Sequence, residues 1–279
     1  EQGLTPSALL AQARTRLERD PQDLTARVAE AAGCVALGDH EGGRNLARRV
    51  LDERPEDLVA LHVLARADYQ AERFPEVAST CARARELDPS AEFSYLYPCL
   101  IALAQGEFER CVALADEGLV AAPDSAGLWA ARGDARLALD QRSQALEDFN
   151  ASLARLDDPR TRLSRAAVFL RLQRSAEALE DLEAIQGPVR ETRAWRTTRI
   201  QCLLTLDRAR ALQEARALQA ESPDRADANF LLGEALRRKG DAAARGYLER
   251  AVQVEPGSPW GDAAGRVLEG LRQGGRQGR

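Results

Sequence analysis

Proline recurs at a fixed interval in the first half of this chain, and that interval constrains the fold more than any other feature. Pro21, Pro55, Pro89 and Pro123 are 34 residues apart, and each lies just after a predicted helical segment. Proline lacks a backbone N–H and disfavours helix in the residue before it, so each of these prolines is expected to end a helix. The constant interval therefore predicts a repeated unit that ends in a helix.

The proline series continues less regularly in the second half of the chain. Pro159, Pro188, Pro223 and Pro256 follow at intervals of 36, 29, 35 and 33 residues. We expect these prolines to end helices as well. The irregular intervals of 36 and 29 flank a single repeat, which predicts a local distortion over residues 157–190.

The composition favours helices over sheets. Hydrophobic residues make up 44% of the 279 residues but aromatic residues only 5%, and Ala and Leu dominate the apolar set. Both are good helix formers, whereas a sheet core is enriched in Val, Ile, Tyr and Phe. The net charge of −5 disfavours bulk attraction to nucleic acid or to an anionic membrane. The sequence has no apolar run of roughly 18 residues, so we expect no membrane span.

One unit, residues 126–157, resembles a known helical repeat. Its signature residues are Trp129, Gly133, Ala145 and Phe149. Their spacing is similar to W-x2-L-G-x2-Y…A-x3-F…P, the pattern of the tetratricopeptide repeat (TPR) family, whose unit is a helix–turn–helix of 34 residues. Arg132 and Arg136 stand where the pattern has Leu and Tyr. The resemblance implies that small side chains occupy the eighth and twentieth positions, where the paired helices meet closely.

The resemblance implies an all-α, right-handed α-solenoid of about seven TPR repeats between two capping helices. We expect an N-terminal capping helix over residues 4–23, opened by Thr5 and Pro6, and a C-terminal one over residues 257–272, opened by Ser258 and Pro259. The repeats are expected over residues 24–57, 58–91, 92–125, 126–158, 159–191, 192–225 and 226–256. Residues 273–279 are expected to form a flexible tail.

The sequence offers little for catalysis. Its histidines are His40 and His62, and it has neither paired His for zinc nor a Ser/His/Asp set nor a glycine-rich phosphate loop. We therefore predict no enzyme activity, no metal and no cofactor. The many arginines beside a single lysine, Lys239, suggest a GC-rich bacterial source. Bacterial cytoplasm and periplasm both stay open as the compartment.

Five cysteines, Cys34, Cys81, Cys99, Cys111 and Cys202, contain no C-x-x-C pair. We expect them to act as small apolar residues at helix contacts. The alternative, implied by the resemblance, is a disulfide between Cys99 and Cys111, which occupy the eighth and twentieth positions of one repeat. The odd number of cysteines favours a reducing compartment or at least one free thiol.

The resemblance also implies a concave groove lined by the second, fifth, ninth, twelfth and thirteenth positions of each first helix. The apolar candidates for partner binding are Phe93, Leu96, Leu100, Leu103, Leu163 and Ile200. The basic candidates are Arg160, Arg171, Arg193 and Arg196. Two alternatives stay open, because the apolar residues could pack against neighbouring first helices and the arginines could form a solvated face.

One specific function of the family is disfavoured. The clamp of TPR co-chaperones requires Lys and Asn at the fifth and ninth positions of one repeat. The pairs at those positions here are Val28/Ala32, His62/Arg66 and Leu96/Leu100.

We therefore predict a protein-binding scaffold that captures a partner segment, acidic and apolar in character, in the groove of repeats 3–6. The prediction implies that Leu96→Asp or Leu100→Asp abolishes partner pull-down without changing helical circular dichroism. The alternative is a structural subunit of a bacterial envelope assembly (of secretion, pilus or cytochrome-maturation type) that docks through its edges or end caps. An RNA-binding role is weakened by the net charge and the few aromatics. The oligomeric state stays open.

Overall fold

A computed structural model of the chain describes the backbone of residues 5–277 and the side chains of residues 5–273. This range contains sixteen α-helices, one 3-10 turn and no strand, so the all-α prediction is confirmed. The chain divides into two compact units, one reaching Leu156 and the other beginning at Asp157.

Unit 1 is built from nine consecutive helices. They are α1 (Pro6–Arg19), α2 (Leu24–Ala36), α3 (His40–Glu53), α4 (Leu58–Gln70), α5 (Phe74–Leu87), α6 (Phe93–Gln105), α7 (Phe108–Ala121), α8 (Ala126–Ala138) and α9 (Arg142–Arg155). Each helix packs against the next, and α2, α4, α6 and α8 also contact one another in succession. These four are the first helices of their repeats, and they therefore share one face of unit 1.

Unit 2 is built from seven α-helices and the 3-10 turn. They are α10 (Pro159–Arg171), α11 (Ser175–Ala184), the turn (Pro188–Glu191), α12 (Arg193–Leu206), α13 (Arg208–Glu221), α14 (Ala226–Lys239), α15 (Ala244–Val254) and α16 (Pro259–Gln277). Here α10, α12, α14 and α16 contact one another in succession beside the pairwise packing of consecutive helices.

A proline followed by a short polar side chain separates the repeats of unit 1. Asp23, Asp57 and Ser125 each lie two residues after a proline of the 34-residue series. Their side-chain oxygens accept backbone N–H groups of the following helices α2, α4 and α8 at 2.9–3.0 Å. Such a cap satisfies an N–H that has no partner within its own helix, so the proline ends one helix and the cap begins the next.

Two prolines of the second half play a different role from the predicted one. Pro159 is the first residue of α10, where Asp158 caps the helix, and Pro188 opens the 3-10 turn. Proline is well suited to a first helical position because the N–H there has no partner within the helix. The predicted distortion is present: α11 has only 10 residues, and Gly187 follows it with a φ of 74°.

Small residues lie at the contacts between paired helices. A Cβ on Gly43 would come within 2.7 Å of the carbonyl oxygen of Ala31, so the twentieth and eighth positions of this repeat touch. A Cβ on Gly133 would come within 2.8 Å of the ring of Phe149. Protein interiors have no slack for such an added carbon, which explains the small residues at these positions.

The terminal helices differ slightly from their predicted extents. Thr5 caps α1 by accepting the N–H of Ala8 at 3.3 Å, whereas residue 4 lies outside the described range. At the other end α16 continues to Gln277, so residues 273–277 of the predicted tail are helical and residues 278–279 lie outside the description.

Arginine–carboxylate pairs recur inside successive repeats. Arg132 binds Asp148 with a closest distance of 2.7 Å, Arg165 binds Asp181 at 2.6 Å, and Arg199 binds Glu214 at 2.5 Å. The partners are 16, 16 and 15 residues apart, from a first helix to the following second helix. The side chains of Asp148 and Asp181 are 1% and 5% exposed, so the carboxylates of the first two pairs are buried.

Candidate functional site

The predicted apolar candidates of α6 lie together in unit 1 and are all partly buried. Phe93 stacks on His62 with ring centroids 4.7 Å apart. Leu96 lies against α8, because a Cβ on Gly127 would come within 3.0 Å of its side chain. Leu100 and Leu103 pack beside the cores on either side of α6. The four residues therefore contact neighbouring first helices and also keep part of their surface accessible.

An aromatic cluster that the sequence interpretation missed lies beside them. His62 and Tyr69 of α4 face Phe93 and Tyr97 of α6: the Nε2 of His62 is 3.2 Å from the hydroxyl of Tyr97, and the Tyr69 and Tyr97 rings are 5.4 Å apart. Desolvation by these rings, with the positive charge of Arg66, lowers the pKa of His62. The residue as a whole is exposed, but the lowered pKa favours the neutral imidazole, which keeps the cluster largely apolar.

The shared face of the first helices of unit 1 carries few charges. We define the unit 1 face as the second, fifth, ninth, twelfth and thirteenth positions of the repeats that begin at residues 24, 58, 92 and 126. Its charged side chains are Arg66 and Asp134. Arg66 is exposed and makes no ion pair within the described part of the chain, whereas Asp134 does interact with another group. The face is thus apolar, partly accessible and marked by one exposed cation.

Two of the basic candidates in unit 2 are engaged within the protein itself. Arg193 donates to both carboxylate oxygens of Asp227, at 2.5 and 2.7 Å, and Arg196 binds both oxygens of Glu221 at 2.6 and 2.9 Å. Asp227 is 3% exposed, so Arg193 neutralises a buried charge. Arg193 is therefore committed to a buried carboxylate, whereas the Arg196–Glu221 pair lies at the surface, with side chains 33% and 57% exposed. A role of these two arginines in partner binding stays a prediction.

The other candidates of unit 2 are distributed unevenly. Ile200 is 1% exposed and belongs to the core around α12, α13 and α14, so it is no longer a candidate for partner contact. Leu163 is partly buried, and Arg160 and Arg171 are exposed. Of these, Arg171 lines the cleft described next.

A cleft of about 1050 Å³ lies in unit 2 between α10, α11, α12 and α14. Leu170, Leu204 and Phe230 supply apolar walls. The carboxylate of Glu234, which is 5% exposed, is held in the wall by two hydrogen bonds from Arg237, at 2.6 and 2.9 Å. The lining therefore combines apolar and charged side chains.

The five thiols are buried and free. Cys99 and Cys111 do not form the disulfide considered from the sequence: the Sγ of Cys99 points to the carbonyl oxygen of Cys111 at 3.7 Å. Its interaction with Cys111 and its burial raise the pKa of Cys99. Burial raises the pKa of Cys81 and of Cys202 to about 12. Such thiols stay protonated at neutral pH and behave as apolar groups.

Within the described residues no group of His, Cys, Asp and Glu is arranged to hold a metal ion. The same range has no helix whose length and apolar character would let it cross a bilayer.

Comparisons with known proteins show a shared fold at low sequence identity. No family model and no curated protein matches the chain. The Cut9–Hcn1 structure of the APC/C superposes with a TM-score of 0.66 at 15% identity, over 93% of this chain and 51% of the other, so this chain spans about half of it. PilF of Pseudomonas aeruginosa gives 0.60 at 17%, over 77% and 94% of the two chains. YrrB, a TPR protein with an unusual peptide-binding site, gives 0.53 at 19%, over 67% and 97%.

The helix pairs, their contacts and these superpositions define the fold. The chain is an all-α helical-repeat protein with the fold of the tetratricopeptide-repeat proteins.

Proposed function

We propose that this chain is a non-catalytic scaffold that binds a segment of another protein on the unit 1 face. The observation that carries the proposal is the accessible apolar surface shared by α4, α6 and α8, in which Phe93, Leu96, Leu100 and Leu103 are partly buried before any partner is bound. Covering the remainder removes more apolar surface from water, which stabilises a complex by roughly 25 cal/mol per Å².

The geometry favours an elongated ligand. Along α4, Val59, His62, Arg66 and Tyr69 are spaced by three and four residues and lie on one side of the helix. The corresponding residues of α6 lie beside them because the two helices are in contact. A helical or extended segment can therefore cross successive helices, using aromatic side chains as anchors. YrrB, which has this fold, is described as having a peptide-binding site, so such a role is compatible with the fold.

Unit 2 offers a second surface for the same partner or for another one. Its cleft collects Arg171 with the apolar side chains of Leu170 and Leu204. Arg160 and Leu163, from the same helix α10, complete the set that we retain from the sequence prediction. We propose that these residues form a secondary binding surface and that the unit 1 face is the main one.

The test compares two exposed valines on different faces. Val59 of α4 is 61% exposed and belongs to the unit 1 face, whereas Val120 of α7 is 88% exposed on a second helix. We expect Val59→Asp to abolish co-purification of the partner from the source organism and Val120→Asp to retain it, with both variants keeping the circular dichroism of the unmodified chain. Equal recovery of the partner with both variants would contradict the proposal.

Val59→Asp replaces Leu96→Asp as the diagnostic change. Leu96 packs on Gly127, so a charge there would also disturb the contact between α6 and α8. Loss of binding by Leu96→Asp would therefore not separate binding from folding, whereas Val59 has most of its side chain in solvent.

An assembly role is the second candidate, because both terminal helices expose leucine. Leu9 of α1 is 47% exposed and Leu271 of α16 is 46% exposed. Docking through these helices would place the chain within a larger complex, as a structural subunit of an envelope assembly. That role predicts loss of the partner with Leu271→Asp and retention with Val59→Asp, the reverse of the result expected for face binding.

A further inference from the structure

A second cavity lies at the start of unit 1, where α1 packs on the first repeat. Its volume is about 520 Å³, and it is lined by residues of α1 and α2 together with Arg66 of α4. We call it the first-repeat pocket. Its α2 wall consists of Ala29, Ala32, Gly33 and Ala36, which recur every three or four residues on one side of the helix. This run of small side chains leaves the space that longer residues would fill.

The opposite wall, supplied by α1, is mixed: Pro6, Leu9 and Ala13 are apolar, whereas Gln12 and Arg16 are polar. Ala13 and Leu9 of α1 line the pocket, and Leu9 is 47% exposed. A large apolar side chain exposed beside an unfilled cavity is the arrangement expected of a receptor for another apolar side chain.

Arginines supply the charges of this pocket, and no acidic residue lines it within the described range. Arg16 donates to Asp23 through Nε at 3.0 Å and through Nη2 at 2.7 Å, so its charge is compensated. Arg66 is exposed and has no carboxylate within ion-pair distance in the described part of the chain. The pocket is therefore an apolar cavity with one uncompensated cation at its edge.

We infer that the first-repeat pocket anchors an acidic–apolar segment of the partner, with an apolar side chain in the cavity and a neighbouring carboxylate on the guanidinium of Arg66. The inference rests on the proposed function and specifies the chemistry of its partner. Arginine binds carboxylates through paired N–H donors, and such contacts are about twice as strong as neutral hydrogen bonds.

The position of Arg66 argues for a protein segment as the occupant. Arg66 lies one helical turn after His62, so the pocket is at one end of the unit 1 face and continuous with the aromatic cluster. A segment anchored in the pocket would pass over Arg66 onto His62 and Phe93. A nucleic acid would need several phosphate-binding cations, and the charged side chains of the unit 1 face are Arg66 and Asp134.

The test selects random phage-displayed dodecapeptides on the full-length chain. We expect the selected peptides to carry Asp or Glu within a few residues of Leu, Ile or Phe. The strongest peptide is then measured by fluorescence anisotropy, where Arg66→Glu should weaken binding by at least about tenfold and Ala36→Trp, which fills the cavity from an exposed position, by a similar factor. Raising the salt concentration should weaken binding to the unmodified chain and should not weaken residual binding to Arg66→Glu.

Arg48→Glu is the matched control, because Arg48 is an exposed arginine on the second helix α3. It should leave the affinity unchanged. Circular dichroism of each variant confirms that the helices are intact. Selected peptides without acidic residues, a selection that yields no peptide dependent on Arg66, or equal effects of Arg66→Glu and Arg48→Glu would each overturn the inference.

The proposed function has its own separate outcome. If Val59→Asp loses the natural partner while Arg66→Glu and Ala36→Trp retain it, the face binds a segment but the pocket does not anchor it. If all three variants retain the partner, the proposed function itself fails.

Discussion

Replacing Arg132 by Leu, the residue that the TPR pattern has at this position, should destabilise the fourth repeat. The guanidinium group of Arg132 makes three hydrogen bonds of 2.7–3.2 Å to the carboxylate of Asp148, whose side chain is 1% exposed. Arg136 donates one further bond to Asp148 at 2.8 Å. Removing Arg132 leaves a buried carboxylate with Arg136 as its remaining cation.

The expected loss of stability can be estimated because removing one partner of a buried ion pair costs much more than replacing both partners. Breaking such a pair by removing one partner costs about 3–5 kcal/mol, because the remaining charge is buried without compensation. Since Arg136 still neutralises part of the charge of Asp148, we expect Arg132→Leu to cost about 3 kcal/mol, at the lower end of that range. Replacing Asp148 as well removes the buried carboxylate but leaves Arg136, whose side chain is 17% exposed, without it, so Arg132→Leu with Asp148→Leu should recover only part of the lost stability.

Hydrogen–deuterium exchange is the appropriate assay, because repeats of a helical array can unfold locally. Exchange should accelerate in α8 and α9 of Arg132→Leu and return towards the original rate in the double variant. Urea unfolding by circular dichroism gives the accompanying free energy. Arg110→Leu is the control, since its pair with Glu107 joins side chains that are 63% and 44% exposed and should contribute at most about 1 kcal/mol. If Arg132→Leu is no more disruptive than Arg110→Leu, the reasoning about the buried pair is refuted.

Three further predictions concern packing, pH and the thiols. Gly133→Ala should lower the unfolding free energy by about 1–3 kcal/mol through overpacking against Phe149, whereas Gly246→Ala, which meets open space in α15, should raise it by about 0.5–1 kcal/mol in urea unfolding. Burial raises the pKa of Asp227, but the hydrogen bond and the charge of Arg193 outweigh this effect, so the net shift of the pKa is downward. The stability that this pair contributes is therefore present above the pKa of Asp227 in the unfolded chain and is lost as the pH falls through its pKa in the folded chain. Arg193→Leu should therefore lower the free energy of unfolding of unit 2 at pH 7. It should also make the further decrease of that free energy below about pH 4 smaller than in the unmodified chain, as measured by urea unfolding at pH 7 and below about pH 4. A thiol reagent should modify none of the five cysteines in the native chain and all five after unfolding, and two missing thiols would restore the disulfide hypothesis.

The fold was predictable because the residues that end one helix and begin the next are close together in the sequence. A proline that cannot continue a helix and a nearby Asp or Ser that caps the next one are readable in sequence, and α2, α4 and α8 begin three residues after Pro21, Pro55 and Pro123. Pro159 and Pro188 were misread, because a proline at the first helical position looks the same in sequence as one that ends a helix.

The arginines were harder to interpret from sequence than the prolines. Arg193 and Arg196 lie in residues 190–199, where Glu191 is the one acidic residue, but their carboxylate partners are 34 and 25 residues away on other helices. A usable signal was nevertheless present. An arginine in a first helix followed by an acid 15 or 16 residues later recurs in repeats 4, 5 and 6, which is the distance across one helix–turn–helix.

The apolar candidates were only partly resolvable from sequence. Ile200 and Phe93 both occupy positions that line the groove in the family. Ile200 is nevertheless 1% exposed, whereas Phe93 is partly accessible. The difference depends on how each first helix is seated against its neighbours. In unit 2 a single residue, Asp207, connects α12 to α13, whereas residues 106–107 connect α6 to α7, so the two repeats differ in register.

Site-specific photo-crosslinking in the source organism tests the central claim, that partner binding occurs on the unit 1 face. Benzoylphenylalanine placed at Val59, Arg66 or Ala104 lies on that face, and the same group at Val120 or Arg48 lies on second helices. The account predicts one common adduct from the first three positions and none from the last two. Adducts formed equally from both sets, or from Val120 and Arg48 alone, would contradict it.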